Sequence, residues 1–155
     1  MNKGKKFEEI IKRDFNKLEQ SKITRLYDPV GGYGGISNVC DFIAYKYPYS
    51  FYFEAKETQV NTFNLNKLSQ YEDLLEYKEI KGLFAGVLVW FSHKNIITWT
   101  SIETVEKLKG IGIKSINCTI PITYDFEVKT EIARKYPIID FNDFLLKINT
   151  KSLKD

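Results

Sequence analysis

The sequence predicts a single α/β domain built on a mixed central sheet flanked by helices. Three observations carry this. Apolar residues recur at helical spacing over residues 5–19 and again over 66–81. Between and after them lie short β-prone runs, and one of these, LFAGVLVWF at 83–91, is apolar throughout, as a central strand covered on both faces is. Finally, 155 residues with 43% apolar and 28% charged side chains suit one domain with a substantial core and would divide poorly into two.

In the first segment Phe7, Ile10, Ile11, Phe15 and Leu18 mark one face of an amphipathic helix. Residues 22–27 read as a strand. From Asp28 to Asn38 the chain is a breaker-rich loop, with Pro29 and VGGYGG at its centre. Two β-rich runs follow, 39–46 and 50–57, and a short segment holding Pro48 makes them a hairpin. Over 66–81, Leu68, Tyr71, Leu74, Leu75 and Lys78 are spaced for a second helix, with Gly82 as its stop. After strand 83–91, His93-Lys94-Asn95 turns the chain back into IITWT at 96–100. Ser101, with Glu103 and Thr104 behind it, caps a short helix to Lys109, which ends at GIGI. Residues 137–148 predict a short strand leading into a last helix, and the polar stretch 150–155 is expected to fray. No internal repeat, linker or low-complexity tract interrupts the chain.

The formal charge is +3, the pI about 8.7, and the cations are nearly all lysine, with Arg13, Arg25 and Arg134 as the arginines. This favours a polyanionic partner met through phosphate contact rather than through reading of guanine edges. Tyr and Phe interleave with Lys, which suits both a sheet core and a nucleic-acid surface. Cys40 and Cys118 stand outside any CxxC or Cys/His cluster, so free thiols are expected. With no apolar leader at the N-terminus and no continuous apolar run of membrane-spanning length, a cytoplasmic protein with no membrane partner is expected.

Chemistry concentrates in FYFEAKE at 51–57. The strand period of two sets Glu54 and Lys56 on one face. A half-exposed strand would explain that pair by itself, with Phe51, Phe53 and Ala55 inward. Asp41 changes the balance, because it stands 13 positions before Glu54 across the hairpin, between apolar Val39 and Ile43 on the same face of its run. Two converging carboxylates there are costly unless paired, and a divalent cation pairs them. Two carboxylates, a backbone carbonyl and waters suit Mg²⁺, with Mn²⁺ as a substitute. Lys56 would then orient a water and stabilise charge on a scissile phosphate.

These residues resemble the PD-(D/E)xK nuclease motif, with Cys40 in place of the usual proline before the aspartate. More narrowly, the chain resembles the RecU-type Holliday junction resolvases. The resemblance rests on GKKFEE at 4–9, Asp41-Phe42, FEAKET at 53–58 and Leu68-Ser69-Gln70, and it covers residues 4 to about 91. It implies a restriction-endonuclease-like fold, Asp41 and Glu54 as metal ligands, Lys56 as the catalytic lysine, Glu8 as a further carboxylate reaching the metal through water, and Gln70 as a supporting residue. Helical phase agrees on Glu8, which borders the apolar face while Glu9 points away; Asp14 on the same face is its rival. Where that family carries a long projecting segment before the catalytic aspartate, only residues 28–38 stand here. Tyr33 in that loop is a candidate for substrate contact, against a plain flexible turn. Lys3, Lys5, Lys6, Arg25 and Thr58 complete the residues expected to meet DNA. His93 is expected to be a solvated turn residue.

The expected function is a Mg²⁺-dependent, structure-selective DNA endonuclease, a Holliday junction resolvase acting as a homodimer on four-way junctions. Symmetric cuts on two strands call for two sites, which a twofold dimer supplies. The alternatives are another PD-(D/E)xK nuclease, for restriction or repair, and a DNA- or protein-binding module of the same fold that lacks catalysis.

Overall fold

The computed structural model describes residues 2–27 and 38–152. In chain order the elements are α1 (Lys3–Phe15), β1 (Ser21–Arg25), β2 (Phe42–Lys46), β3 (Tyr49–Thr58), β4 (Thr62–Asn64), α2 (Tyr71–Leu75), β5 (Leu83–Phe91), β6 (Ile96–Ser101), α3 (Ile102–Gly110), β7 (Ser115–Asn117), β8 (Phe126–Val128), β9 (Thr130–Ala133), β10 (Tyr136–Ile139) and α4 (Phe141–Ser152). Single 3₁₀ turns sit at Leu65–Lys67 and Pro121–Thr123.

Six strands make the main sheet, in the order β1-β2-β3-β5-β6-β8. β3 and β5 run parallel and their other neighbours antiparallel, so the sheet is mixed as predicted. Two-stranded sheets β4-β7 and β9-β10 lie beside it.

Both faces of the sheet are covered, and the strand period of two sorts side chains between them. From β5, Leu88 and Trp90 join Phe7, Ile10, Ile11 and Phe15 of α1 and Phe144 and Ile148 of α4 on one face. Ala85, Val87, Val89 and Phe91 join Leu74 of α2 and Ile102, Val105 and Leu108 of α3 on the other. That double burial is why the 83–91 run has no polar alternation. Trp90, Trp99 and Phe51 are among the largest fully buried side chains, and burying an aromatic ring of this size contributes about 2–3 kcal/mol. Gly86 on β5 lets Trp99 lie flat across it, since a Cβ there would come within 2.7 Å of the indole and 2.4 Å of the Thr100 carbonyl oxygen.

Several expectations are corrected. α1 begins at Lys3, where the Asn2 side chain accepts the Lys5 N–H (2.7 Å), and ends at Phe15 rather than Glu19. There the chain turns sharply into β1, with Gln20 at φ 50° and Ser21 Oγ donating to the Leu18 carbonyl. The hairpin forms as predicted, Lys46 opposite Tyr49, with a cis Tyr47-Pro48 peptide in its turn. Residues 39–41, however, precede β2 instead of belonging to it, so Asp41 sits at a strand entrance and not within strand alternation. The helix expected over 66–81 shrinks to Tyr71–Leu75, because Leu68 and Gln70 adopt non-helical backbone angles and Glu79 has φ 62°. The final strand and helix form, but α4 continues to Ser152, so residues 150–152 are helical; 153–155 lie outside the described residues. β4, β7, β8 and β9 add to the predicted elements. Among the described residues no helix is long and apolar enough to cross a membrane.

Candidate active site

β3 is longer than β2. Its last residue opposite β2 is Phe53, paired with Phe42, and beyond that point Glu54 to Thr58 pair only with β5. The Ala55 N–H, which has no strand partner on that side, donates to Asp41 Oδ2 at 3.0 Å. The chain entering β2 thereby fixes Asp41 beside Glu54 and Lys56. Leu26 N–H donates to the Asp41 carbonyl at 2.7 Å, which holds the same entrance to the end of β1.

Glu54 is 0% exposed. Its Oε1 accepts from Ser69 Oγ (3.2 Å) and from the Gln70 N–H (3.3 Å), at the turn that opens α2. Ser69 Oγ also lies 2.9 Å from Gln70 Oε1. Glu54 Oε2 is equally buried and has no hydrogen-bond partner among the described residues. Burial pushes the Glu54 carboxyl up to about 7, with the Lys56 ammonium pulling the other way and Asp41 adding to the rise. Burial also raises Asp41, against the Ala55 N–H, Arg25 and Lys56. Two carboxyl groups in one dry corner, with a lysine near both, hold their charge poorly by themselves. Such a pair of oxygen donors could be paired by a divalent cation.

Glu8 reaches this corner from α1 through Arg25. Arg25 Nη2 donates to Glu8 Oε1 at 3.0 Å, and Nη1 lies 3.7 Å from Asp41 Oδ1. The guanidinium stacks between the rings of Tyr27 and Phe42. Arg25, expected at the DNA, is 17% exposed at its side chain and links the two acids. Among the described residues no three His, Cys, Asp or Glu side chains gather as a metal cluster. Asp41 and Glu54 are thus the pair that fits a divalent ion with its own waters, the habit of Mg²⁺, while Glu8 stands one residue further out.

The rival Asp14 is accounted for differently. Its buried carboxylate receives Arg13, Lys17 and the Ile139 N–H (2.8 Å), fastening α1 to β10. Burial opposes its charge, but these partners outweigh it and hold its pKa below the ordinary value. Burial pushes the Cys40 thiol up to about 12, so the residue in the usual proline position is inert. His93 lies in an exposed turn against Asn61, 2.8 Å away, as expected. Lys3 and Lys5 occupy the first turn of α1, Lys6 faces Tyr136, and the Thr58 hydroxyl donates to the Thr62 carbonyl. Tyr33, with residues 28–37, lies outside the described residues. Sequence reasoning singled out Gln70 but missed Ser69 beside it, although a hydroxyl next to the expected supporting residue was the available signal.

A mixed sheet with an acid at the mouth of one strand, and an acid and lysine two apart on the next, defines the restriction-endonuclease-like class of nuclease folds. Within that class, the profile of the family described as Recombination protein U, RecU, matches residues 30–146. The chain belongs to this family, the resolvase family its motifs resemble. Among solved structures it is similar to Hjc, a Holliday junction resolvase from the archaeal hyperthermophile Archaeoglobus fulgidus. The TM-score is 0.50 and the identity 17%, over 65% of this chain and 78% of that one, a likeness of fold. No curated protein sequence matches.

Proposed function

We propose that this chain is a divalent-metal-dependent, structure-selective endonuclease that resolves Holliday junctions by paired nicks, working as a homodimer. The observation that carries the chemistry is Glu54 Oε2, a fully buried carboxylate oxygen without a hydrogen-bond partner among the described residues, on a side chain whose charge is coupled to Asp41 and Lys56. Asp41 and Glu54 would hold the ion, and Mn²⁺ would serve in place of Mg²⁺. When bound, such an ion neutralises charge on a scissile phosphate and lowers the pKa of water. Ser69 and the Gln70 N–H fix one oxygen of Glu54, so its other oxygen presents a single geometry. Lys56 brings positive charge to where the pentavalent phosphate gains negative charge, and its ammonium can orient the attacking water. Arg25 keeps Glu8 and Asp41 in fixed relation while balancing their charge. One such site cuts one strand, so paired nicks call for a second copy related by a twofold axis.

The test compares a labelled four-way junction with duplex of one arm's sequence, under single-turnover conditions with Mg²⁺ and with EDTA. Junction-selective nicking that needs the metal, and that Lys56→Ala abolishes without loss of binding, is the expected result. Equal rates on junction and duplex would move the chain to another nuclease class. Binding without any cleavage would make it a binding module.

A further inference from the structure

The β9–β10 hairpin carries charge that the site does not use. Its register pairs Ala133 with Tyr136, so Arg134 and Lys135 alone form the turn. Both are exposed. Arg134 has φ 63°, in the left-handed region that glycine and asparagine enter most readily and long side chains avoid. A turn shaped by folding alone would favour Asn-Gly at this point. Instead the tip carries two cations, and neither has an ion-pair partner among the described residues. Arg13 and Arg25, the other arginines of the chain, are both committed to carboxylates.

Behind the tip stands Tyr136, whose ring packs edge-on against the buried Trp90, with centroids 6.4 Å apart. Two ammonium groups gather on that ring: Lys6 Nζ from α1 at 4.7 Å from the centroid, and Lys135 Nζ at 5.6 Å. The aromatic face attracts each cation but neutralises neither. Among the described residues Lys6 has only Glu9 as a counter-charge, 3.8 Å away on a half-exposed side chain, and water screens a pair of that kind. Two ammonium groups on one ring, with Arg134 next to Lys135 in the turn, are a place for repeated negative charge.

The position of the cluster says which negative charge. Trp90 pairs with Glu57, the residue after Lys56 on β3. The Tyr136 cluster therefore stands over the C-terminal end of the two central strands on the α1 face, with Lys6 two residues before Glu8 on that helix, while the Lys56 side chain leaves the same end of β3 on the other face. A DNA arm following this end of the sheet passes from one to the other.

We propose that Lys6 and Lys135, positioned on Tyr136, form with Arg134 of the adjoining turn a shelf that holds backbone phosphates of the DNA arm beside the cleavage site. This rests on the nuclease reading given above and adds the track along which substrate lies. Point-charge lysines and an unanchored arginine at a turn bind phosphate and read no sequence, so the shelf acts alike on every arm.

The experiment uses the full chain in EDTA and measures fluorescence anisotropy of a labelled four-way junction and a labelled duplex across a salt series. The proteins are wild type, Arg134→Gly, Lys135→Ala and Lys6→Gln, each with its thermal midpoint. Arg134→Gly is the telling variant, because glycine suits that φ and should leave the midpoint unchanged or raised. Each variant is expected to weaken both substrates about three- to tenfold at moderate salt, and to reduce the slope of log K against log salt by about 0.9 for each phosphate no longer neutralised. Single-turnover cleavage with Mg²⁺ at saturating DNA should keep its rate in Arg134→Gly and Lys135→Ala. Unchanged affinity and slope, in a protein that still binds junctions, would overturn the shelf. So would losses confined to variants with lowered midpoints, which would make the hairpin a structural brace. A wild-type protein that neither binds nor cuts DNA would instead sink the nuclease reading itself.

Discussion

Asp41 Oδ2 accepts the Ala55 N–H at 3.0 Å, just where β2 begins and β3 runs on past it. The carboxylate replaces a missing strand partner and is at the same time a charged group in the candidate metal corner. These two roles separate under substitution. Asp41→Asn keeps an oxygen that can accept the Ala55 N–H, so stability should stay within about 1 kcal/mol while Mg²⁺ affinity and cleavage fall at least tenfold. Asp41→Ala should in addition lose about 1–3 kcal/mol, because it strands the Ala55 N–H. Urea denaturation and titration calorimetry measure the two effects. Equal stability of the two variants would remove the anchoring role.

Glu54 sets a pH dependence whose sign follows from its burial. The folded carboxyl titrates near 7, against 4.5 for a free glutamate. Between those values the folded protein keeps a proton that the unfolded chain has lost. The contribution to stability is thus fully present below about pH 4.5 and is lost as pH rises through 7, by about 3 kcal/mol in the metal-free protein. Glu54→Gln removes this loss. Thermal or urea melts in EDTA at pH 5 and pH 8 should show the variant gaining on wild type at the higher pH. Mg²⁺ must displace the same proton, so its affinity should rise with pH up to about 7. A constant gap between the two proteins would return Glu54 to an ordinary pKa.

The two acids on the inner side of α1 should fail in opposite ways. Asp14→Ala leaves the buried Ile139 N–H without its acceptor and frees Arg13, so about 2–4 kcal/mol of stability should go while the folded fraction still cuts DNA. Glu8→Gln keeps an acceptor for Arg25 and should cost little stability, yet it removes a charge beside Asp41 and should depress cleavage well below that of Glu9→Gln. Chemical denaturation read beside single-turnover rates distinguishes them. Similar rates for the Glu8 and Glu9 variants would take Glu8 out of the site.

Much of the fold is legible in the sequence because the physics is local. The Phe7, Ile10 and Ile11 stripe makes α1, and an unbroken apolar run makes β5. The 13-residue interval from Asp41 to Glu54 locates the corner. The rest depends on contacts between distant segments. Leu68, Tyr71, Leu74 and Leu75 have true helical spacing, but Ser69 and Gln70 bend the backbone toward Glu54 and only one short helix survives. Arg25 reads as a cation at a strand end, and only the approach of α1 turns it into a link between Glu8 and Asp41. Helical phase puts both Glu8 and Asp14 on the inner face; Arg13 and Ile139, far apart in sequence, decide between them. β8 has three residues and pairs at the sheet edge, too short for periodicity to register.

Ser69 and Gln70 lie on the crossover that carries the chain from β3 to its parallel neighbour β5. The grip on Glu54 therefore comes from the segment whose closure brings those two strands together, and parallel pairing of this kind is a slow, non-local step in folding. On the ribosome, the hairpin bearing Asp41, Glu54 and Lys56 emerges well before β5 does. Until residue 91 has been made and paired, the nascent chain holds the acids without the clamp. On the reading proposed above, the site would therefore be complete only once the centre of the sheet has formed.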